Sequence, residues 1–170
     1  MRTYLLIIIS ADLILWAAHG FEGACFVFGG TAAVIALDGL GAFLLRRLPE
    51  TWFADGWAAT PAERRFYKRI GIRKWKDMIP ELGGFSGFHK DHVEFDADFL
   101  AQFLLESRYG IVIHLENMAG GFLLLLFLPP SYALPIAAVN AVLSLLPVMV
   151  LRYNLATLQH LQNKVNRKIA

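Results

Sequence analysis

Glu106, Gly110, His114, Asn117 and Gly121 recur at intervals of four, four, three and four residues. That spacing sets all five on one face of a helix. The set carries a carboxylate, an imidazole, an amide and two glycines that permit close approach. A histidine takes or gives a proton near neutrality. A carboxylate such as Glu106 can orient it or stabilise its protonated form, and donors such as Asn117 or Arg108 can meet developing negative charge. The stripe is therefore suited to acid–base chemistry on a polar group. The competing reading is packing, because small and polar residues on one helix face also join helices in membranes. Glu116 points away from this face.

Further polar residues interrupt apolar sequence: Asp12, Asp38 and Asn140. Charged groups inside a membrane are costly and suggest function by default. Counting helical rise from the expected span ends puts Asp12 about 13 Å in, Asp38 about 10 Å in, and His114 and Glu116 about 6–10 Å in. These depths fall in the inner half of a bilayer and are compatible with one pocket open to the cytoplasm. Asp12 and Asp38 could each instead bond a neighbouring polar group.

The elements that would position these groups follow from hydropathy and charge. Of the 170 residues, 56% are hydrophobic and 18% charged, well below the quarter or so charged in soluble domains. Four windows are apolar enough to span, near residues 3–18, 23–45, 110–128 and 132–151; a crossing needs about 20 residues. The expected fold is all-α, an integral membrane four-helix protein. It divides into a first hairpin (1–45), a basic, aromatic loop with short interfacial helices (46–109), a second hairpin (110–151) and a tail (152–170).

All eleven Lys and Arg between the second and third windows lie between Arg46 and Arg108, while the turns at 19–22 and 129–131 have none. The positive-inside rule then puts the loop and both termini in the cytoplasm. The first window is read as a retained span rather than a signal peptide, since Asp12 interrupts it and no clean cleavage site follows. Cys25, the lone cysteine, allows no internal disulfide and reads as a packing residue. A formal charge of +2 gives no support for nucleic acid.

Within the loop, Thr60-Pro61-Ala62-Glu63 has the form of a capping box with Pro at the first helical position. It predicts a basic helix over 63–70 ending near Gly71, with Phe66, Tyr67 and Ile70 toward the membrane and the arginines toward phosphates. Asp96 or Asp98 is expected to cap a helix that continues into the third span. His89 and His92 have no flanking ligand pattern, so no metal is assigned. His89 with Glu94 mimics a His-x4-acid acyltransferase pattern, but a solvated turn accounts for it better.

Four segments together resemble one family. Gly71-Ile72-Arg73-Lys74-Trp75-Lys76-Asp77-Met78-Ile79-Pro80-Glu81 resembles the Lys-x-Trp-Lys-Asp-x-x-Pro-acid segment of the glycosyl-4,4'-diaponeurosporenoate acyltransferases. Phe88-His89-Lys90 fits its aromatic-x-Lys, and Glu106-Ser107-Arg108 with His114 its Glu-x-Arg…His. Pro147 through Arg152-Tyr153-Asn154 resembles the close of its last span. The chain departs at Leu151 and Leu155, where family members tend to carry Gln and Arg.

The resemblance implies a small bacterial membrane enzyme that transfers an acyl group to a lipid hydroxyl. With the stripe, it implies His114 as general base, Glu106 or Asp38 as its orienting acid, and Asn117 or Arg108 as oxyanion donors. Lys74, Lys76, Lys90, Arg152 and Asn154 would bind acyl-CoA as co-substrate, with no tightly bound cofactor. Partners would be membrane lipids and a lipid, glycolipid or glycosylated carotenoid acceptor, and a homo-oligomer is compatible. Two other classes use the same features: a methyltransferase or related group transferase, and a non-catalytic lipid-binding or accessory subunit whose stripe packs against a partner helix.

Overall fold

The computed structural model describes residues 2–53, 56–76, 79 and 97–169, and every regular element among them is helical. Helices α1 (Arg2–His19) and α2 (Ala24–Leu45) are joined by a short 3-10 turn at Phe21–Gly23. After a second 3-10 turn come α3 (Pro61–Arg69) and α4 (Ile72–Trp75). The long helices α5 (Ala97–Leu123) and α6 (Pro130–Ile169) complete the order.

Among the described residues, three stretches are long and apolar enough to cross a membrane: Ala24–Leu45, Phe99–Leu126 and Pro130–Val165. The apolar part of α1, Tyr4–His19, is shorter. By its contacts the chain divides into two compact units, Met1–Arg47 with Ile113–Leu146, and Leu48–Val112 with Pro147–Ala170.

The first unit has an apolar core of Val34, Leu124, Ala133 and Ile136, with Leu15 and Leu128 against it. Its outside is apolar as well: Leu6, Ile14, Leu126 and Phe127 are each more than 60% exposed. A helix apolar on every side, as α2 is, belongs in a core or a bilayer. With Ile35, Leu40, Phe43 and Leu44 each more than half exposed, α2 belongs in a bilayer. One polar pair is satisfied internally: the Thr31 hydroxyl donates to Asp12 Oδ1 at 2.8 Å and ties α2 to α1. This is the local-partner reading of Asp12.

In the second unit α5 and α6 pack through Leu100, Leu104, Ile111, Val148, Leu155 and Leu158. The expected end of the last apolar window at Leu151 does not end the helix. Charged residues lower the hydropathy beyond it, but Leu155 and Leu158 keep the buried face in step, so α6 runs on to Ile169. Helix α5 likewise passes through position 110 without a break. Asp98 lies inside α5 rather than before it, and Asp96 falls outside the described residues.

The capping box forms as expected. The Glu63 N–H donates to Thr60 Oγ1 at 3.2 Å and the Thr60 N–H donates to Glu63 Oε2 at 2.8 Å. Helix α3 ends at a left-handed Gly71, φ 67°. One expectation about α3 needs correction. Phe66 and Ile70 remain exposed, but Tyr67 is buried in the protein, against Ala59, Ile72 and Tyr153. The reason is geometric: Glu63 and Tyr67 are four residues apart on one face. That face meets Arg152 and Tyr153 of α6.

Candidate functional site

His114 lies on the buried line of α5, where Leu104, Ser107, Ile111 and His114 follow at steps of three and four. It is 8% exposed, and its Nδ1 is buried with no hydrogen-bond partner among the described residues. A buried polar atom left unbonded is uncommon and calls for an explanation such as a catalytic role.

The lower half of the stripe packs helices together. A Cβ at Gly121 would meet Asn140 Nδ2 at 2.8 Å and Ala137 Cα at 3.5 Å, so α6 approaches α5 closely there. At that contact Asn140 donates through Nδ2 to the Asn117 carbonyl at 2.7 Å. With its nitrogen turned toward the surrounding acceptors, the Asn117 amide donates to Ile113 O at 3.0 Å and Glu116 Oε2 at 3.1 Å. Asn117 and Gly121 thus serve the packing reading, and His114 is not absorbed by it.

Glu116 points off the stripe and finds a seat on α2. A Cβ at Gly41 would overlap its carboxylate, and one at Gly120 would lie 3.7 Å from Asp38 Oδ1 and 4.0 Å from Glu116 Oε1. The fold therefore brings Asp38 and Glu116 to one place. Glycines at 41 and 120, three residues from Asp38 and four from Glu116, were the only sign of this in the sequence. Asp38 also faces a cleft of about 350 Å³ among α1, α2 and α6, together with Asp12, Thr31 and Asn140.

In the second unit Glu106, Arg108 and Asn154 are half-buried, Lys74 is exposed and Lys76 is half-buried. Lys90 falls outside the described residues, as do Asp77, His89, His92 and Glu94. Arg152 is held by the protein itself. Its Nη2 lies 2.9 Å from Glu63 Oε2 and donates to the Ala58 carbonyl at 3.5 Å. The Ala59 N–H in turn donates to the Arg152 carbonyl at 3.1 Å. Burial raises the Glu63 pKa, but hydrogen bonds from the Thr60 N–H, Arg152 and the Thr60 hydroxyl, with the Arg152 charge, outweigh it and bring the carboxyl below 4.5.

Next to this pair, Arg73 Nε donates to the Tyr153 hydroxyl at 2.9 Å, across 80 residues. Trp75 packs against the core of Tyr67, Ile72 and Tyr153 and donates through Nε1 to the Ile70 carbonyl. The Arg-Lys-Trp and Arg-Tyr-Asn segments, far apart in sequence, thus close on each other around Tyr153. Neither Glu63 nor Arg73 had been expected to matter here. Their partners are too distant in the chain for local pattern to reveal.

Apolar helices long enough to cross a bilayer, with a buried histidine and paired carboxylates among them, define a membrane protein with polar groups inside its helical layer. The family model CrtO, described as glycosyl-4,4'-diaponeurosporenoate acyltransferase, matches residues 49–164. The chain belongs to this family, and the family is one of acyltransferases in carotenoid biosynthesis. Comparisons with curated proteins and with solved structures returned no match.

Within the matched segment both departures from the family pattern are packing positions. Leu155 is fully buried, and the Leu151 side chain fills the space a Cβ at Gly110 would enter.

Proposed function

We propose that the protein transfers a fatty acyl group from acyl-CoA to a hydroxyl of a glycosylated carotenoid, glycolipid or related lipid at the cytoplasmic face of a bacterial plasma membrane. In this reading α1 is a fourth crossing, both termini are cytoplasmic, and the basic segment 46–109 faces the cytoplasm. His114 takes the proton of the acceptor hydroxyl as its oxygen attacks the thioester carbonyl. The tetrahedral oxyanion collapses, the carbon–sulfur bond breaks, and the coenzyme leaves with a proton as free thiol beside the new ester. Glu106 or Asp38 balances the imidazolium, and Arg108 donates to the oxyanion. Lys74, exposed on α4, is the cation offered to phosphates, with Lys76 two residues further on in the same segment; Arg152, engaged by Glu63, holds α3 in place.

The observation that carries the reading is the buried Nδ1 of His114, without a hydrogen-bond partner among the described residues, in a segment matched by an acyltransferase family. The test uses the purified full chain in lipid nanodiscs with radiolabelled palmitoyl-CoA and a glucosylated carotenoid acid. His114→Ala is expected to lower ester formation about 100-fold or more, the scale of a general base, with its thermal midpoint close to wild type. Unchanged transfer would remove His114 from the base role.

A further inference from the structure

The cleft of the first unit lies among helices that the family match largely leaves out. Residues of α1 and α2 form most of its wall, Pro135, Ile136, Val139, Asn140 and Leu143 of α6 complete it, and the match begins only at residue 49. Its volume of about 350 Å³ falls within the roughly 300–1,000 Å³ typical of ligand pockets. The wall is apolar throughout except at Asp12, Thr31, Asp38 and Asn140.

The polar groups specify what such a cleft would take. Asp12 and Thr31 are bonded to each other at 2.8 Å. Asn140 commits its nitrogen to the Asn117 carbonyl, which leaves its side-chain oxygen to accept. Asp38 also presents oxygens, with the Glu116 carboxyl group beside it. The open positions are therefore acceptors in an acidic neighbourhood. They favour a hydrogen-bond donor and repel a carboxylate or phosphate. An ammonium would carry its own charge into apolar surroundings, which costs several kcal/mol even when paired.

We propose that this cleft is an intramembrane binding site for an uncharged aliphatic chain bearing a hydroxyl, with the hydroxyl received by Asp38 and Asn140 and the chain lying along Ala11, Val34, Val139 and Leu143. That the chain belongs to the acyl acceptor rests on the acyl-transfer reading; the binding itself does not.

The experiment is photo-crosslinking of the full chain in phosphatidylcholine nanodiscs with diazirine-bearing hexadecanol, hexadecanoic acid and hexadecylamine, the adducts mapped by mass spectrometry. The alcohol is expected to label the cleft walls of α1, α2 and α6 roughly tenfold over the acid, the discrimination one well-formed hydrogen bond supports. It should also label more than the amine. Asp38→Ala should remove that preference, and Ala11→Phe or Leu143→Phe, which fill the cleft, should remove the labelling. Equal labelling by all three probes, stronger labelling by the amine, or labelling that survives both filling variants overturns the proposal. Crosslinking needs no acyl donor, so transfer that persists in His114→Ala leaves this site standing. Unselective crosslinking equally leaves the role of His114 untouched.

Discussion

Arg152 and Glu63 show how a residue's role depends on its partner more than on its charge. In the sequence Arg152 is one more cation beside the membrane. In the fold its guanidinium bonds a carboxylate 89 positions earlier and the carbonyl of Ala58. Glu63→Gln keeps the shape and the acceptor that caps α3 but removes the charge. A double-mutant cycle with Arg152→Ala, read by thermal unfolding in detergent, is expected to give a coupling of about 1 kcal/mol, near the top of the range for partly exposed pairs. The pH dependence has a definite sign. The folded carboxyl titrates below its ordinary 4.5. Its contribution is therefore fully present above that pH and lost as pH falls through the folded value. The gap between wild type and Glu63→Gln should close on acidification; a gap of the same size at neutral pH and well below 4.5 would refute the ion-pair account.

Helix ends and close approaches set the element scale. Gly71 ends α3 in the left-handed region with open space around it: the nearest atom to an added Cβ is Lys74 Cδ at 3.9 Å. Gly71→Ala should therefore cost the backbone penalty alone, about 1–2 kcal/mol, in the same unfolding assay. At Gly121 the penalty would instead be steric. Gly121→Val drives a side chain into Asn140 and Ala137 and should cost roughly 1–3 kcal/mol. Asn140→Ala, which loses only the bond to the Asn117 carbonyl, should cost about 0.6 kcal/mol. If the two variants are equally destabilising, the close approach is not what Gly121 provides. The same distinction explains what was legible beforehand. The capping box, the α1–α2 turn and the passage of α5 through position 110 are local signals, written within a few residues. The continuation of α6 past Leu151 was hidden because Arg152 and the lysines beyond lower the average hydropathy, although Leu155 and Leu158 hold the helical period. His114 could be singled out by depth and face. The seating of Glu116 on Gly41 and of Tyr67 on Tyr153 depends on tertiary contacts that no window along the chain contains.

At the scale of the molecule, charge and length make separable statements about the membrane. The basic residues between Arg46 and Arg108 argue for one cytoplasmic segment. Among the described residues three stretches have the length to cross, but the apolar part of α1 is shorter, and even the 18 residues of the whole helix rise about 27 Å against a core of about 30 Å. An α1 that crosses must place Thr3 and Gly20 on opposite faces, while an α1 lying along the surface places both on one. Cys25 is the only cysteine, so a Cys25→Ser background makes the question accessible to single-cysteine labelling. With a membrane-impermeant maleimide on intact cells, Gly20→Cys and Ser131→Cys are expected to react at once. Thr3→Cys, Arg65→Cys and Lys164→Cys should react only after the membrane is opened. If Thr3→Cys reacts from outside with Gly20→Cys, α1 does not cross. The cleft wall it forms with α2 and α6 would then open at the outer surface rather than within the bilayer, and the aliphatic chain proposed for that cleft would have to enter from the headgroup layer.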